Sequence, residues 1–250
     1  MSRRALVTGA GRSGGIGEAI VARLESDGFE VVTLDREPGC TWQVDLSRDE
    51  LPDFGPIDVY VGNAAITTLF GAAHSFDLDK WRLDLEVNLT GTFRVLQQCL
   101  AGMRERGYGR IVLTSSTSAV QGMPAQVSYS TSKAGLIGMA RTVAAENSGR
   151  GITANLVLPG MTASSGILSM PQEIQDAWLR TLPEGFVEPA DIANGVAFFA
   201  SEASGMVTGQ LLTIDGGDFL NHRTVTSSMV SHVESTAGPG SARPASGDTA

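Results

Sequence analysis

Ten residues near the start of the chain, Thr8-Gly9-Ala10-Gly11-Arg12-Ser13-Gly14-Gly15-Ile16-Gly17, restrict its architecture more than any other segment. They follow a short apolar run and lead into a stretch of helical periodicity. Glycines packed between a strand and a helix remove side chains where backbone must come close to something, and let the free N–H groups of the helix N-terminus face outward. A strand–glycine turn–helix unit is the opening of a βαβ structure with a parallel sheet.

The rest of the chain follows the same alternation. Strands are predicted over Arg4–Thr8, Glu30–Asp35, Thr41–Asp45, Val59–Asn63, Arg110–Ser115, Thr153–Leu158 and Gln210–Ile214, and most are rich in Val, Ile and Leu without a polar face. Such runs belong to strands covered on both sides. Helices are predicted over Ile16–Ser26, Asp79–Glu105, Val127–Ser148 and Pro189–Ser201, the last opening on Pro189-Ala190-Asp191. The fold class is therefore α/β, a single doubly wound domain with a seven-stranded parallel sheet over residues 1–220. Only nine residues separate Asp35 from Asp45, with Pro38 and Gly39 among them. A crossover that short has no room for its usual helix, so the helix after strand 2 is expected to be reduced to a turn. Residues 221–250 end in Gly, Pro, Ser, Ala and Thr, a composition expected to be disordered. The alternative is that Met229–Val233 packs on a neighbouring subunit or over the cleft.

Composition excludes some classes. The formal net charge of −9 argues against nucleic acid or an anionic membrane as partner, because phosphate surfaces attract Lys and Arg. Two cysteines, Cys40 and Cys99, are too few for a disulfide framework, and no Cys/His spacing suggests a metal, so none is expected. No signal-like segment opens the chain and no apolar run approaches a bilayer span, so a cytoplasmic protein is expected.

The glycine loop suits the pyrophosphate of a dinucleotide, with Gly9, Arg12, Gly15, Ile16 and Gly17 as candidate contacts. Which glycines touch phosphate stays open, since Gly9–Gly14 alone also fits a G-x-G-x-x-G pattern. Asp35 ends the second strand, where a carboxylate reaches adenosine ribose hydroxyls and repels a 2′-phosphate, which favours NAD over NADP. Arg36 and Arg12 pull the other way, since either can pair with such a phosphate. Asp45 and Leu46, at the end of the third strand, complete this side of the candidate set.

The chemical signal is Tyr129-Ser130-Thr131-Ser132-Lys133 at the start of a long helix. A spacing of four puts phenol and ammonium on one face. A nearby lysine favours the phenolate and draws the tyrosine toward working pH. Ser116 closes a strand, where open α/β sheets bind ligands, and its hydroxyl can hold a substrate oxygen. Asn88 lies inside a predicted helix although asparagine competes with helical hydrogen bonds, which points to a kink or a bound water.

These motifs, with Asn63-Ala64-Ala65, Pro159-Gly160 and Asp215-Gly216-Gly217, make the chain resemble the short-chain dehydrogenase/reductase family from about Arg3 to Gly217. The resemblance implies a Rossmann-type fold and a catalytic tetrad of Asn88, Ser116, Tyr129 and Lys133, with Tyr129 and Lys133 also counted as cofactor contacts. It places Asn63, followed by Ala64, beside the adenosine half of the cofactor, and Pro159, Gly160 and Thr162 beside the nicotinamide. It also implies a homotetramer. The implied reaction is hydride transfer between NAD(H) and a secondary alcohol or ketone. The alternatives are a 3-oxoacyl-thioester reductase using NADPH and a non-catalytic dinucleotide-binding protein. The chain departs from the family in a glycine loop two residues longer, in Gly62-Asn63-Ala64-Ala65, in the lost helix and in the extended tail. Residues 161–186 are expected to form a substrate loop, with a short helix around Pro171–Leu182. Its apolar Met161, Ile167, Leu168, Met170, Trp178 and Leu182 either suit a neutral alcohol or ketone or simply pack the loop down.

Overall fold

Strands that are apolar on both faces require a layer of helices on each side, and the chain supplies both. The computed structural model describes residues 2–220. The expectations for the tail from 221 onward lie outside the described residues. In chain order the elements are β1 (Arg4–Thr8), α1 (Ile16–Ser26), β2 (Glu30–Asp35), β3 (Trp42–Gln43), β4 (Val59–Gly62) and α2 (Leu78–Leu85). A π-helical segment, Glu86–Gly91, then joins α2 to α3 (Thr92–Arg106). There follow β5 (Gly109–Thr114), α4 (Ser118–Gln121), α5 (Val127–Glu146), β6 (Ile152–Pro159), α6 (Ser165–Leu168), α7 (Gln172–Leu179), α8 (Pro189–Ala200) and β7 (Leu211–Ile214).

All seven strands are parallel, in the order β3-β2-β1-β4-β5-β6-β7. The order reverses between β1 and β4, and ligands bind open α/β sheets at the carboxyl ends flanking such a point. Alternate strand residues feed two cores. Leu6, Tyr60, Ile111, Leu113 and Leu156 meet Val95, Leu96 and Met103 of α3 and Leu136 of α5. Ala5, Val7, Val59, Val61 and Val112 meet Ile20 and Leu24 of α1 and Ile192 and Val196 of α8.

Three elements differ from the sequence reading. The third strand shrinks from Thr41–Asp45 to two residues, because Asp45 leaves the sheet in a turn where its Oδ1 accepts from the Ser47 amide and hydroxyl. The predicted helix Asp79–Glu105 is divided by the π-helical turn. There Asn88 points its side chain away to other partners, and Gly91 lets Leu46 approach, since a Cβ on Gly91 would lie 2.8 Å from the Leu46 Cβ. The substrate loop carries two short helices, α6 and α7, rather than one. Between β2 and β3 there is no helix, as expected. A turn with Gly39 at φ +95 replaces it, and Thr33 and Thr41 bridge its base through their hydroxyls.

α2 begins at Asp77, whose carboxylate accepts from the amides of Asp79 and Lys80. Asp77→Ala removes this cap and is expected to cost about 1 kcal/mol. Urea denaturation measures that loss, and hydrogen exchange is expected to place it in α2.

Candidate active site

The end of β5 and the start of α5 are locked by two reciprocal bonds. Lys133 Nζ donates to the Thr114 carbonyl at 2.7 Å, and the Ser115 hydroxyl donates to the Lys133 carbonyl at 2.8 Å. Lys133 is thereby held inside the protein, 2% exposed, with its ammonium 5.8 Å from the centre of the Tyr129 ring. Ser116 continues from Ser115 into the cleft. Its Oγ accepts from the Ser118 amide at 3.2 Å, lies 2.9 Å from the Ser118 hydroxyl, and faces the Tyr129 phenol. Asn88 is fully buried in the π-helical turn. Its Oδ1 accepts from the Ile66 amide at 2.8 Å, while its Nδ2 donates to the Ile66 carbonyl and to Ser132 Oγ. The structure thus gathers Asn88, Ser116, Tyr129 and Lys133 around one end of β5.

Burial sets the electrostatics. Removal from water disfavours both charged forms, so Tyr129 is pushed up to about 12 and Lys133 down to about 8. The Ser116 hydroxyl acts against burial on Tyr129, and a nearby carboxylate, Asp84, raises both groups. Burial therefore outweighs the pull toward phenolate expected from Lys133. A phenol held neutral suits proton donation to a carbonyl oxygen.

The dinucleotide end is built by close backbone approaches. Gly9, at φ +74, lies where a Cβ would sit 2.6 Å from the Ala64 Cα, and a Cβ on Gly17 would overlap the Gly9 carbonyl oxygen. Asn63 Nδ2 donates to the Gly9 carbonyl, and the amides of Asn63 and Ala64 both donate to the Thr8 hydroxyl. Gly15 caps α1 without any side-chain bond, so the first-turn amides of Ile16 and Gly17 are left facing the loop. Asp35 Oδ2 accepts from the Gly11 amide at 2.8 Å and Oδ1 from the Glu37 amide, which fixes its carboxylate against the glycine loop. A cavity of about 320 Å³ opens beside it, between Ala10, Gly11, Thr33 and the turn Pro38-Gly39-Cys40. These features fit a nicotinamide dinucleotide: a glycine-lined cradle, a helix start without a side-chain cap and an oriented carboxylate.

The remaining candidates also have partners within the protein. Arg36 pairs with Glu37 at 3.4 Å on the surface. Asp45 is held by Ser47 and Arg48, and the two Ser47 hydrogen bonds draw its carboxyl below the ordinary value. Leu46 is a core residue whose carbonyl accepts from Arg94. The Gly160 amide donates to Ile214, the Pro159 carbonyl accepts from Thr117, and the Thr162 hydroxyl donates to the Gly160 carbonyl. Ser165 of α6 donates its amide to the Gly14 carbonyl at 3.0 Å, joining the substrate loop to the glycine loop beside Arg12. The sequence analysis passed over Ser115, Ser128, Ser132 and Asp84. Only the doubled Ser115-Ser116 and the serines flanking Tyr129 offered any local signal.

A lysine drawn below its ordinary value binds fewer protons in the folded chain than in the unfolded one between about pH 8 and 10.5. The stability it contributes is complete above that window and lost as pH falls through it. Wild type is therefore expected to gain stability relative to Lys133→Met as pH rises from about 8 to 9.5, read from paired urea titrations.

Comparison with known proteins agrees with the fold. Residues 44–218 match the family described as enoyl-(acyl carrier protein) reductase. The chain is 34% identical over 245 residues to the acetoacetyl-CoA reductase of Rhizobium meliloti (strain 1021), covering 88% of this chain and 99% of that one. A short-chain dehydrogenase/reductase family oxidoreductase from Burkholderia thailandensis superimposes with a TM-score of 0.78 at 30% identity, covering 94% and 98% of the two chains. A point variant of the actinorhodin polyketide ketoreductase, solved with NADPH, gives a TM-score of 0.78 at 32% identity, covering 86% and 97%. The chain belongs to the short-chain dehydrogenase/reductase family, nicotinamide-dependent oxidoreductases acting on C=O and CH–OH groups.

Proposed function

We propose that the chain reduces the ketone of a 3-oxoacyl thioester with NADH, using Asn88, Ser116, Tyr129 and Lys133. The observation that carries the chemistry is the Ser116–Tyr129 pair at the end of β5, backed by a buried lysine. Similarity to an acetoacetyl-CoA reductase over nearly the whole of that protein supports the thioester. Leu168 and Ile174, exposed on α6 and α7, supply apolar surface for an acyl chain, and α7 is tied to α6 by Gln175, which donates to the carbonyls of Leu168 and Met170.

The cofactor supplies the hydride. Gly9, Gly15, Ile16 and Gly17, with Arg12 beside them, would hold its pyrophosphate; Asn63 and Ala64 would wall the adenosine half; Pro159, Gly160 and Thr162 would border the nicotinamide. Ser116 orients the carbonyl oxygen, Tyr129 gives it a proton, and Lys133 steadies the phenolate left behind. Asn88, pinned by Ile66 and Ser132, holds the π-helical turn against α5. Asp35 is the argument for NADH, because its carboxylate is fixed where a 2′-phosphate would meet a like charge. Arg36 is drawn away from that role by Glu37. The same reading carries a cytoplasmic homotetramer, in keeping with two unpaired cysteines, Cys40 and Cys99.

Acetoacetyl-CoA and a panel of neutral ketones, each with NADH and with NADPH, test the proposal. Tyr129→Phe is expected to lower kcat by about 10²–10⁴-fold with little change in KM. Turnover surviving in that variant removes the mechanism, and turnover confined to the neutral ketones removes the thioester. Asp35→Ala is expected to narrow the preference for NADH by about tenfold or more, the equivalent of one charge-assisted contact; an unchanged ratio removes Asp35 from cofactor choice.

A further inference from the structure

Two buried polar rungs join the helix carrying Asn88 to the helix carrying Tyr129 and Lys133. In the first, the Ser128 hydroxyl donates to Asp84 Oδ2. In the second, Asn88 Nδ2 donates to Ser132 Oγ at 3.2 Å. Asp84 and Asn88 are four residues apart, as are Ser128 and Ser132, so the rungs stack along the two helices. All four residues are buried, none more than 1% exposed. The second rung holds Asn88, a member of the tetrad. The first is unexplained by packing, because a carboxylate in this position is expensive to desolvate and an apolar side chain would fill it at lower cost.

Asp84 also has too few donors for a buried anion. Its Oδ1 has no hydrogen-bond partner among the described residues, and its Oδ2 has the neutral Ser128 hydroxyl. Lys133 has the complementary deficiency, since its ammonium donates to a carbonyl, that of Thr114. Burial raises the Asp84 carboxyl, while Ser128 and the Lys133 ammonium draw it back down. Burial lowers Lys133, and the Asp84 carboxylate draws it back up. Tyr129, on the same face of α5, feels Asp84 in the opposite sense, as a charge that disfavours its phenolate.

We propose that Asp84 is a positioning residue for the Tyr129–Lys133 pair: its buried carboxylate, held by Ser128 on the helix that carries both and making no direct ion pair with Lys133 among the described residues, acts through space to keep the Lys133 ammonium charged. The proposal rests on the reading that Tyr129 and Lys133 perform the proton transfer. In ketone reduction the hydride pair of NADH adds to the carbonyl carbon, the Tyr129 O–H bond breaks, and its proton goes to the carbonyl oxygen. The phenolate that remains needs a charged lysine beside it, and an amine that has lost its proton to burial gives none. Asp84 keeps that charge in place, at the expense of some direct repulsion of the phenolate.

The test uses an advantage of this sequence: Lys80 and Lys133 are its two lysines. Protein labelled with ¹⁵N,¹³C-lysine in a Lys80→Arg background gives one lysine side-chain signal, whose titration reports Lys133 without substrate or turnover. Its midpoint is expected near the value of about 8 and is expected to fall by about half a pH unit or more in Asp84→Asn. Asp84→Leu, which fills the site without polar atoms, makes the same test if the amide variant does not fold. A midpoint that stays in place in either folded variant overturns the proposal. In the reduction assay, the alkaline limb of kcat/KM is expected to move to lower pH in Asp84→Asn. A uniform loss at every pH with the limb unmoved marks Asp84 as structural and also overturns it. If turnover instead survives Tyr129→Phe, the reading of the site fails, while the lysine titration still decides whether Asp84 keeps Lys133 charged.

Discussion

The carboxyl edge of the sheet depends on a single close contact, the approach of the α1 start to the end of β1. No side chain fits between Gly17 and the Gly9 carbonyl, so the helix axis points its first turn straight at the loop above β1. Gly9 in turn packs against Asn63 and Ala64 at the end of β4, the neighbour across the point where strand order reverses. The amide of Asn63 and the hydroxyl of Thr8 tie the two strand ends together. From this knot the other parts of the cleft are positioned: Gly11 reaches sideways to Asp35 on β2, and Gly14 reaches across to Ser165 on the substrate side. The loop is thus a hub whose backbone makes the bonds that side chains would make elsewhere.

The two ends of the cleft use opposite strategies. At the dinucleotide end, charge is kept near water and the protein contributes backbone dipoles and two carboxylates, Asp35 and Glu18, that accept from loop amides. At the chemical end, a lysine, a carboxylate and an asparagine are drawn completely inside, and the desolvation cost is accepted so that their fields act at short range in a low-dielectric setting. Such a site is reorganised little during reaction, which is the condition under which fixed charges help a transition state most.

Much of this was legible in the residues. β1, α1 and β2 fall on their predicted boundaries, because glycine, a helix start and an acidic strand end mark each junction sharply. The crossover without a helix followed from Pro38, Gly39 and the short spacing. Asn88, Ser116, Tyr129 and Lys133 were each marked by position relative to a strand or helix. What stayed hidden was set by contacts distant in sequence. A charged residue such as Asp84 in an amphipathic helix reads as solvent-facing, and nothing local says that Ser128 of α5 will cover it. The bond from Gly11 to Asp35 was invisible for the same reason. Asn88 signalled an irregularity, but the apolar periodicity on either side concealed that the helix would change its winding there.

That change of winding has a consequence for how the helix serves two neighbours. An α-helix advances about 100° per residue, so a turn that takes in one extra residue shifts the phase of everything beyond it by roughly that angle. Before the π-helical turn, the buried edge is Asp84, directed at α5; after it, the buried edge is Val95, Leu96, Cys99 and Met103, directed at the sheet. A helix of uniform pitch would present one continuous stripe, and its two halves would have to share one partner. The inserted residue therefore works as a phase shifter, giving the half that faces α5 and the half that faces the sheet independent azimuths.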